Sequence, residues 1–136
     1  MQFAQINWLA VVVGTVFNMV LGFLWYGPIL GKPWTAAMEK MGRKREDMKM
    51  SFATFSLPLV GAFVSCLVLD LIVISFGTGS WWMGLIAGAV VWVGIGASST
   101  LTAGVFEGRP ATLWIISFFY FLVVYAAEGL MFSVWK

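Results

Sequence analysis

Four stretches of the chain are almost free of polar side chains, and each has the length a bilayer requires. They run from about Ile6 to Tyr26, Ala53 to Phe76, Trp81 to Phe106 and Thr112 to Trp135. A hydrocarbon core of about 30 Å needs about 20 apolar residues per helix. The runs are continuously apolar rather than alternating, which argues against the strands of a closed barrel. The pattern predicts an all-α fold, an integral membrane four-helix bundle, with residues 1–136 forming a single transmembrane domain. The first run lacks a basic leader and is longer than a typical signal-peptide core, so it is expected to stay in the mature chain.

Between the first two runs lies a polar loop, about residues 29–52, with its own periodicity. Pro33 can start a helix. Trp34, Ala37, Met38 and Met41 then fall on one apolar stripe, and Gly42 supplies a stop. A short helix lying in the headgroup layer is expected here, and a docking surface for a partner is the alternative.

Charge gives the orientation. The first loop holds Lys32, Lys40, Arg43, Lys44, Arg45 and Lys49, and the loop after the third run holds Arg109. The segment before the first run and the Gly77–Ser80 loop hold no lysine or arginine. The bias predicts both basic loops in the cytoplasm and both termini outside. Lys40, Arg43, Lys44 and Arg45 are expected to touch anionic lipid headgroups. The Arg43–Arg45 cluster could also suit nucleic acid, but topology accounts for it, and no nucleic-acid partner is expected.

Composition narrows the chemistry. The chain is 61% apolar and 10% charged, against about 25% charged in soluble domains. Its mean hydropathy is +0.94. It contains no histidine and one cysteine, Cys66. An intrachain disulfide, histidine-dependent triads, the usual zinc sites and histidine-ligated haem are thereby excluded. No cofactor and no metal is expected.

Small residues mark the packing faces. Gly84, Gly88, Gly96, Thr100 and Gly104, with Trp92 completing the spacing, recur every four residues in the third run. Each such step turns about 40° further around the helix, so the row can serve different neighbours at different depths. Gly14, Asn18 and Gly22 repeat the idea in the first run, and Gly61 with Ser65 in the second.

Two acids interrupt the apolar runs: Asp70, 17 residues after Ala53, and Glu128, 16 after Thr112. Both are expected about 8–10 Å from the external surface, at about 1.5 Å per residue. An acid within a span normally faces protein, water or a partner. Three readings stay open: neutral acids hydrogen-bonding across the bundle, a wet outward pocket for a cation or proton, or carboxylates reaching water near the headgroups. Tyr125, three residues before Glu128, is the expected partner on its face. Asn18 is a further candidate for the polar site, since an amide in lipid needs a partner. The hydroxyls of Ser98–Thr102 are expected to bond back to their own helix.

Two short stretches look alike, "GFLWYGP" at Gly22–Pro28 and "GVFEGRP" at Gly104–Pro110. Together with the placement of the acids they suggest a parallel two-span repeat, with chance similarity of helix ends as the alternative. In that reading Trp25, Tyr26, Pro28 and Trp34 form one cytoplasmic corner and Glu107, Arg109 and Pro110 the other. Trp25 and Tyr26 are expected to anchor at the interface. Gly27 and Pro28 are expected to end the first span, and contact between Trp25–Tyr26 and Glu107–Arg109 is predicted.

The chain resembles a family of small bacterial membrane proteins catalogued as domain of unknown function 1761. The resemblance rests on "INWLAV" at Ile6–Val11, "GFLWYGP", "GKPW" at Gly31–Trp34 and "FEGRP" at Phe106–Pro110, and it covers nearly the whole length. Gly27 departs from the serine expected at that place in many relatives, so no hydroxyl role carries over. The resemblance implies a four-span protein of a bacterial cytoplasmic membrane and supplies no activity.

Three function classes follow. The first is a non-enzymatic bundle acting by association with lipids around it, as a homo-oligomer or a subunit beside a partner membrane protein. The second is a small transporter or channel using Asp70 and Glu128 for a proton, cation or small molecule. The third is an enzyme built on Glu107 and Arg109, for which one glutamate and one arginine are too little machinery.

Overall fold

The computed structural model describes residues 2–44, 51–77 and 79–135. Arg45 and Lys49 lie outside the described residues. Within them the chain is helical, with four helices long and apolar enough to cross a membrane: Trp8–Ile29, Phe52–Phe76, Trp81–Phe106 and Ala111–Val134.

Helix α1 (Trp8–Leu24) starts where Asn7 caps it, the side-chain oxygen accepting from the Ala10 N–H at 3.1 Å. Its inward face is Ala10, Val11, Gly14, Thr15 and Asn18, a helical stripe. The span does not end at Gly27–Pro28. It widens into a π turn over Trp25–Ile29, in which the Leu30 N–H donates to the Trp25 carbonyl at 2.9 Å. Pro28 has no N–H and its ring crowds the carbonyl four residues back, so a wider turn lets the backbone pass.

Helix α2 (Gly31–Lys40) follows at once, two residues ahead of the expected Pro33 start. Pro33 sits in its first turn, where no intrahelical donor is required. Gly31 is needed at the join, because a Cβ there would lie 3.0 Å from the Tyr26 carbonyl oxygen. Gly42 closes the helix at φ +79°, with the Arg43 N–H donating to the Met38 carbonyl at 3.1 Å. The predicted stripe is turned to protein: Ala37 is buried and α2 packs on the fourth span.

Helix α3 (Phe52–Phe76) is capped by Ser51, which accepts from the Thr54 N–H at 3.1 Å, and ends at Gly77 with φ +62°. Its inward residues are Ala62, Cys66, Leu69, Asp70 and Val73. The third span is α4 (Trp81–Val91), a π turn over Trp92–Ala97, and α5 (Ser98–Phe106). The hydroxyls of Ser98, Ser99, Thr100 and Thr102 all donate to carbonyls of their own helix. Helix α6 (Ala111–Val134) presents Leu113, Ile116, Tyr120, Val124, Glu128 and Phe132 inward.

The four spans are not equivalent. Helices α1, α3 and α6 enclose the core, while α4 lies along α6 and touches α3 little. The close fit of α4 on α6 comes from glycine. A Cβ on Gly84 would strike the Gly129 carbonyl, one on Gly88 the Tyr125 carbonyl, and one on Gly129 the Gly84 carbonyl. Backbones can approach this closely only without side chains between them. Gly96 instead makes room for the indole of Trp92 in its own helix. Gly61, expected at a packing face, is exposed, and a Cβ there meets nothing within 4 Å.

The two corners that look alike in sequence fold differently. Gly22–Pro28 runs through the π turn, whereas Gly104–Pro110 ends α5 in a left-handed Gly108, φ +67°, with the Arg109 N–H on the Gly104 carbonyl at 2.9 Å. Local backbone therefore gives no support to the repeat. Replacing Gly88 by valine should destabilise the fold by about 1–3 kcal/mol, the usual cost of overpacking, in denaturant titration in detergent. Gly61→Ala should leave the midpoint unchanged, and equal losses at both would mean that the α4–α6 contact is not the tight one.

Candidate functional site

The inward faces of α1, α3 and α6 carry a file of polar groups through an apolar core. At the end bearing the termini, Asn7 joins three helices. Its backbone N–H donates to Asp70 Oδ2 at 3.2 Å and its side-chain amide to the Trp135 carbonyl at 3.1 Å, while its side-chain oxygen caps α1. Asp70 is 2% exposed. It lines a cavity of about 370 Å³ with Gln2, Gln5, Asn7 and Trp135, at the termini end of the bundle.

One turn deeper on α3, the Cys66 thiol lies within hydrogen-bonding reach of Thr15 of α1 and Glu128 of α6. Glu128 is 1% exposed. Its Oε1 accepts from the Asn18 amide at 3.4 Å, a long bond, and its Oε2 is buried with no hydrogen-bond partner. Asn18 is held from the other side by Tyr120, whose hydroxyl donates to the Asn18 carbonyl at 2.7 Å and to its side-chain oxygen at 2.8 Å. A Cβ on Gly22 would lie 2.8 Å from that hydroxyl, so this glycine of the first run makes room for the tyrosine.

Towards the basic loops the file ends in rings. Tyr120 meets Tyr26 at 5.4 Å and Trp25 at 6.2 Å between centroids. The Trp25 indole donates to the Ile116 carbonyl at 3.1 Å, and the Tyr26 hydroxyl bonds Ser117 at 2.9 Å. Trp34 stacks edge-on against Tyr26 at 5.7 Å. Trp25 and Tyr26 thus close the bundle from inside. Their partners lie one to two turns into α6, where the wide π turn aims them, and not at Glu107–Arg109 as predicted. Glu107 and Arg109 pair with each other at 2.7 Å on the surface, where such a pair stabilises little. Pro110 caps α6. Lys40, Arg43 and Lys44 are exposed.

Of the expected site residues, Asn18 and Glu128 come together and Asp70 joins the same file. Tyr125 does not partner Glu128. It sits on the flank of α6 that meets α4, against Trp92 at 5.8 Å and Phe121 at 6.5 Å. Tyr120, two turns before Glu128 on the inward stripe, takes the polar role instead. Asn7, Thr15, Cys66 and Tyr120 were not named as site residues from sequence. A cap signal was present at Asn7, a polar residue directly before an apolar run, and the i, i+4, i+8 spacing of Tyr120, Val124 and Glu128 marks one face. Among the described residues no group of three or more histidine, cysteine, aspartate or glutamate side chains could hold a metal ion.

A second feature lies on the outside. Between α3 and α4 runs an apolar groove of about 640 Å³, lined by Phe76, Trp82, Ile86, Val90 and Ile95 among others.

Four apolar helices around a buried file of polar side chains define a multi-pass helical membrane protein. The chain belongs to the family described as Protein of unknown function (DUF1761), whose model matches residues 9–133. No curated protein and no solved structure matches it.

Removing the amide should test the clamp. Asn18→Ala removes the amide from Glu128 and leaves the Tyr120 hydroxyl only the backbone carbonyl of residue 18, and it should cost about 1–3 kcal/mol in a detergent unfolding titration. Tyr120→Phe should cost less, about 0.6–1.7 kcal/mol. The double variant should fall short of the sum, and strict additivity would separate the two contacts.

Proposed function

We propose that the protein is a small, non-enzymatic transporter or channel whose working group is the Glu128 carboxyl. The observation that carries this reading is the unpartnered Oε2, buried among three helices. A buried polar atom without a partner costs stability, and acids inside spans mark ion and proton paths. The four spans hold no lysine or arginine, so no fixed cation neutralises Glu128. Asp70 and its cavity supply the approach from the termini end. The loop charges argue for that end facing outward from a bacterial cytoplasmic membrane, with the basic loops resting against lipid headgroups. In proteoliposomes, the unmodified protein should carry protons or a small cation. Glu128→Gln keeps the shape of the side chain but cannot ionise, and it should abolish the flux. Absence of flux from the unmodified protein over a panel of protons and monovalent cations would sink the reading.

The groove between α3 and α4 favours a second reading, action by association with another copy or a membrane subunit. The third span is held along one side only, and a helix fitted into the groove would gain van der Waals packing there, the force that joins helices in lipid. Cys66 is buried, so an Ile86→Cys variant carries a single accessible thiol. Mild oxidation in membranes should give dimers with Ile86→Cys and none with Ile115→Cys, on the exposed face of α6. Monomers in both cases would dismiss a homodimer through the groove.

A further inference from the structure

Building on the transport reading, we propose that the cargo taken by Glu128 is a proton, supplied from the termini end past Asp70 and barred from the basic end by the Asn18–Tyr120 pair. A hard metal cation takes several oxygen ligands, and the surroundings of Glu128 do not offer them. Of the nearby side-chain oxygens, that of Asn18 is engaged by Tyr120, and the Thr15 hydroxyl, its proton on the Val11 carbonyl at 2.8 Å, is a single further ligand. The space beside Gly14 is filled by the Cys66 thiol, the Met131 methyl and the Phe132 ring, each 3.1–3.2 Å from where a Cβ would stand. A proton needs one lone pair, and Oε2 supplies it, bonded to no nitrogen or oxygen and with only the weakly donating Cys66 thiol near the carboxyl.

The sides of the site differ. The titratable groups facing Glu128 from α3 are Cys66 and, a turn further out, Asp70. Helix α1 presents only Thr15 and Asn18, α4 has no titratable side chain, and on α6 Tyr120 lies behind Asn18. Towards the termini, then, lie an acid and a cavity of about 370 Å³ flanked by side-chain amides. Towards the basic loops, an amide comes first. Asn18 neither gives up nor takes a proton in ordinary chemistry, so it interrupts a chain of exchanging groups. Behind it stand Tyr120, Trp25 and Tyr26, bonded into α6. A proton from water in the cavity adds to the Glu128 carboxylate to give the neutral acid, and leaves by the same path while the pair stays closed. Transfer to the basic side requires Asn18 and Tyr120 to part.

The test uses the full chain in proteoliposomes with the termini end facing the bath, checked by protease access to a terminal tag. Dicyclohexylcarbodiimide, a membrane-soluble reagent for protonated carboxyls, is the probe, and peptide mass reads the labelling of Glu128. Raising the bath pH at fixed lumen pH should slow labelling, by about tenfold per unit once the group is mostly ionised. Changing the lumen pH alone should not. Asp70→Asn should delay the response to the bath, and Tyr120→Phe should let the lumen control it too. Labelling that follows only the lumen, or ignores the bath, overturns the proposal. So does protection of Glu128 by sodium or potassium at constant pH, which would leave the transport reading standing. A one-sided response without any proton flux would uphold the proton site and refute transport. The one-sidedness is read in the unmodified protein, so a variant that fails to fold does not remove the test.

Discussion

An amide inside a bilayer has no water to turn to, and Asn18 therefore dictates how α1 and α6 meet. Its amide nitrogen points at Glu128, and its two oxygens receive the Tyr120 hydroxyl. These contacts fix α1 and α6 in rotation and in height at once. A slip by one residue would turn Asn18 away by about 100° and leave three polar groups in hydrocarbon. Asn7 does the same work about three helical turns away, tying the start of α1 to α3 and to the end of α6. Gly14 and Gly22 lie on the same stripe and allow the close approach that such short side-chain contacts need.

The third span is held by a different force. Its α4 segment offers Gly84 and Gly88 to the backbone of α6 near Gly129, and the gain is van der Waals contact. Trp92 adds a directed bond, its indole donating to the Phe118 carbonyl at 3.0 Å. The π turn that begins at Trp92, and the missing side chain at Gly96, place that ring. Polar clamps thus unite α1, α3 and α6, and a glycine seam adds α4. The asymmetry leaves one side of the bundle, the α3–α4 groove, without a protein neighbour among the described residues.

The site was legible in part, and the reason is geometric. Intramembrane acids and amides stand out in sequence because solvation penalises them, so Asp70, Glu128 and Asn18 could be named in advance. Choosing between Tyr120 and Tyr125 needed the direction in which α6 faces. Tyr125 is three residues from Glu128 and looks adjacent on a helical wheel, yet the neighbour on that flank is α4 rather than α1. Cys66 and Thr15 gave no signal because small polar residues are common in spans. At Trp25–Tyr26, Pro28 was expected to end the helix, and a π turn carried it on.

By itself the sequence determined the number of spans, their boundaries to within a few residues, the stop at Gly42 and the types of side chain that could not face lipid. These follow from hydropathy over about 20 residues and from local backbone preference, both of which are short-range. Only the tertiary structure decided which helices enclose the core, that Asn18 lies between Glu128 and Tyr120, and that Oε2 of Glu128 is left without a partner. Those depend on the rotation of each helix about its own axis. Lipid exerts no pull on one apolar face over another, so that rotation is set by a few long-range polar bonds and glycine contacts.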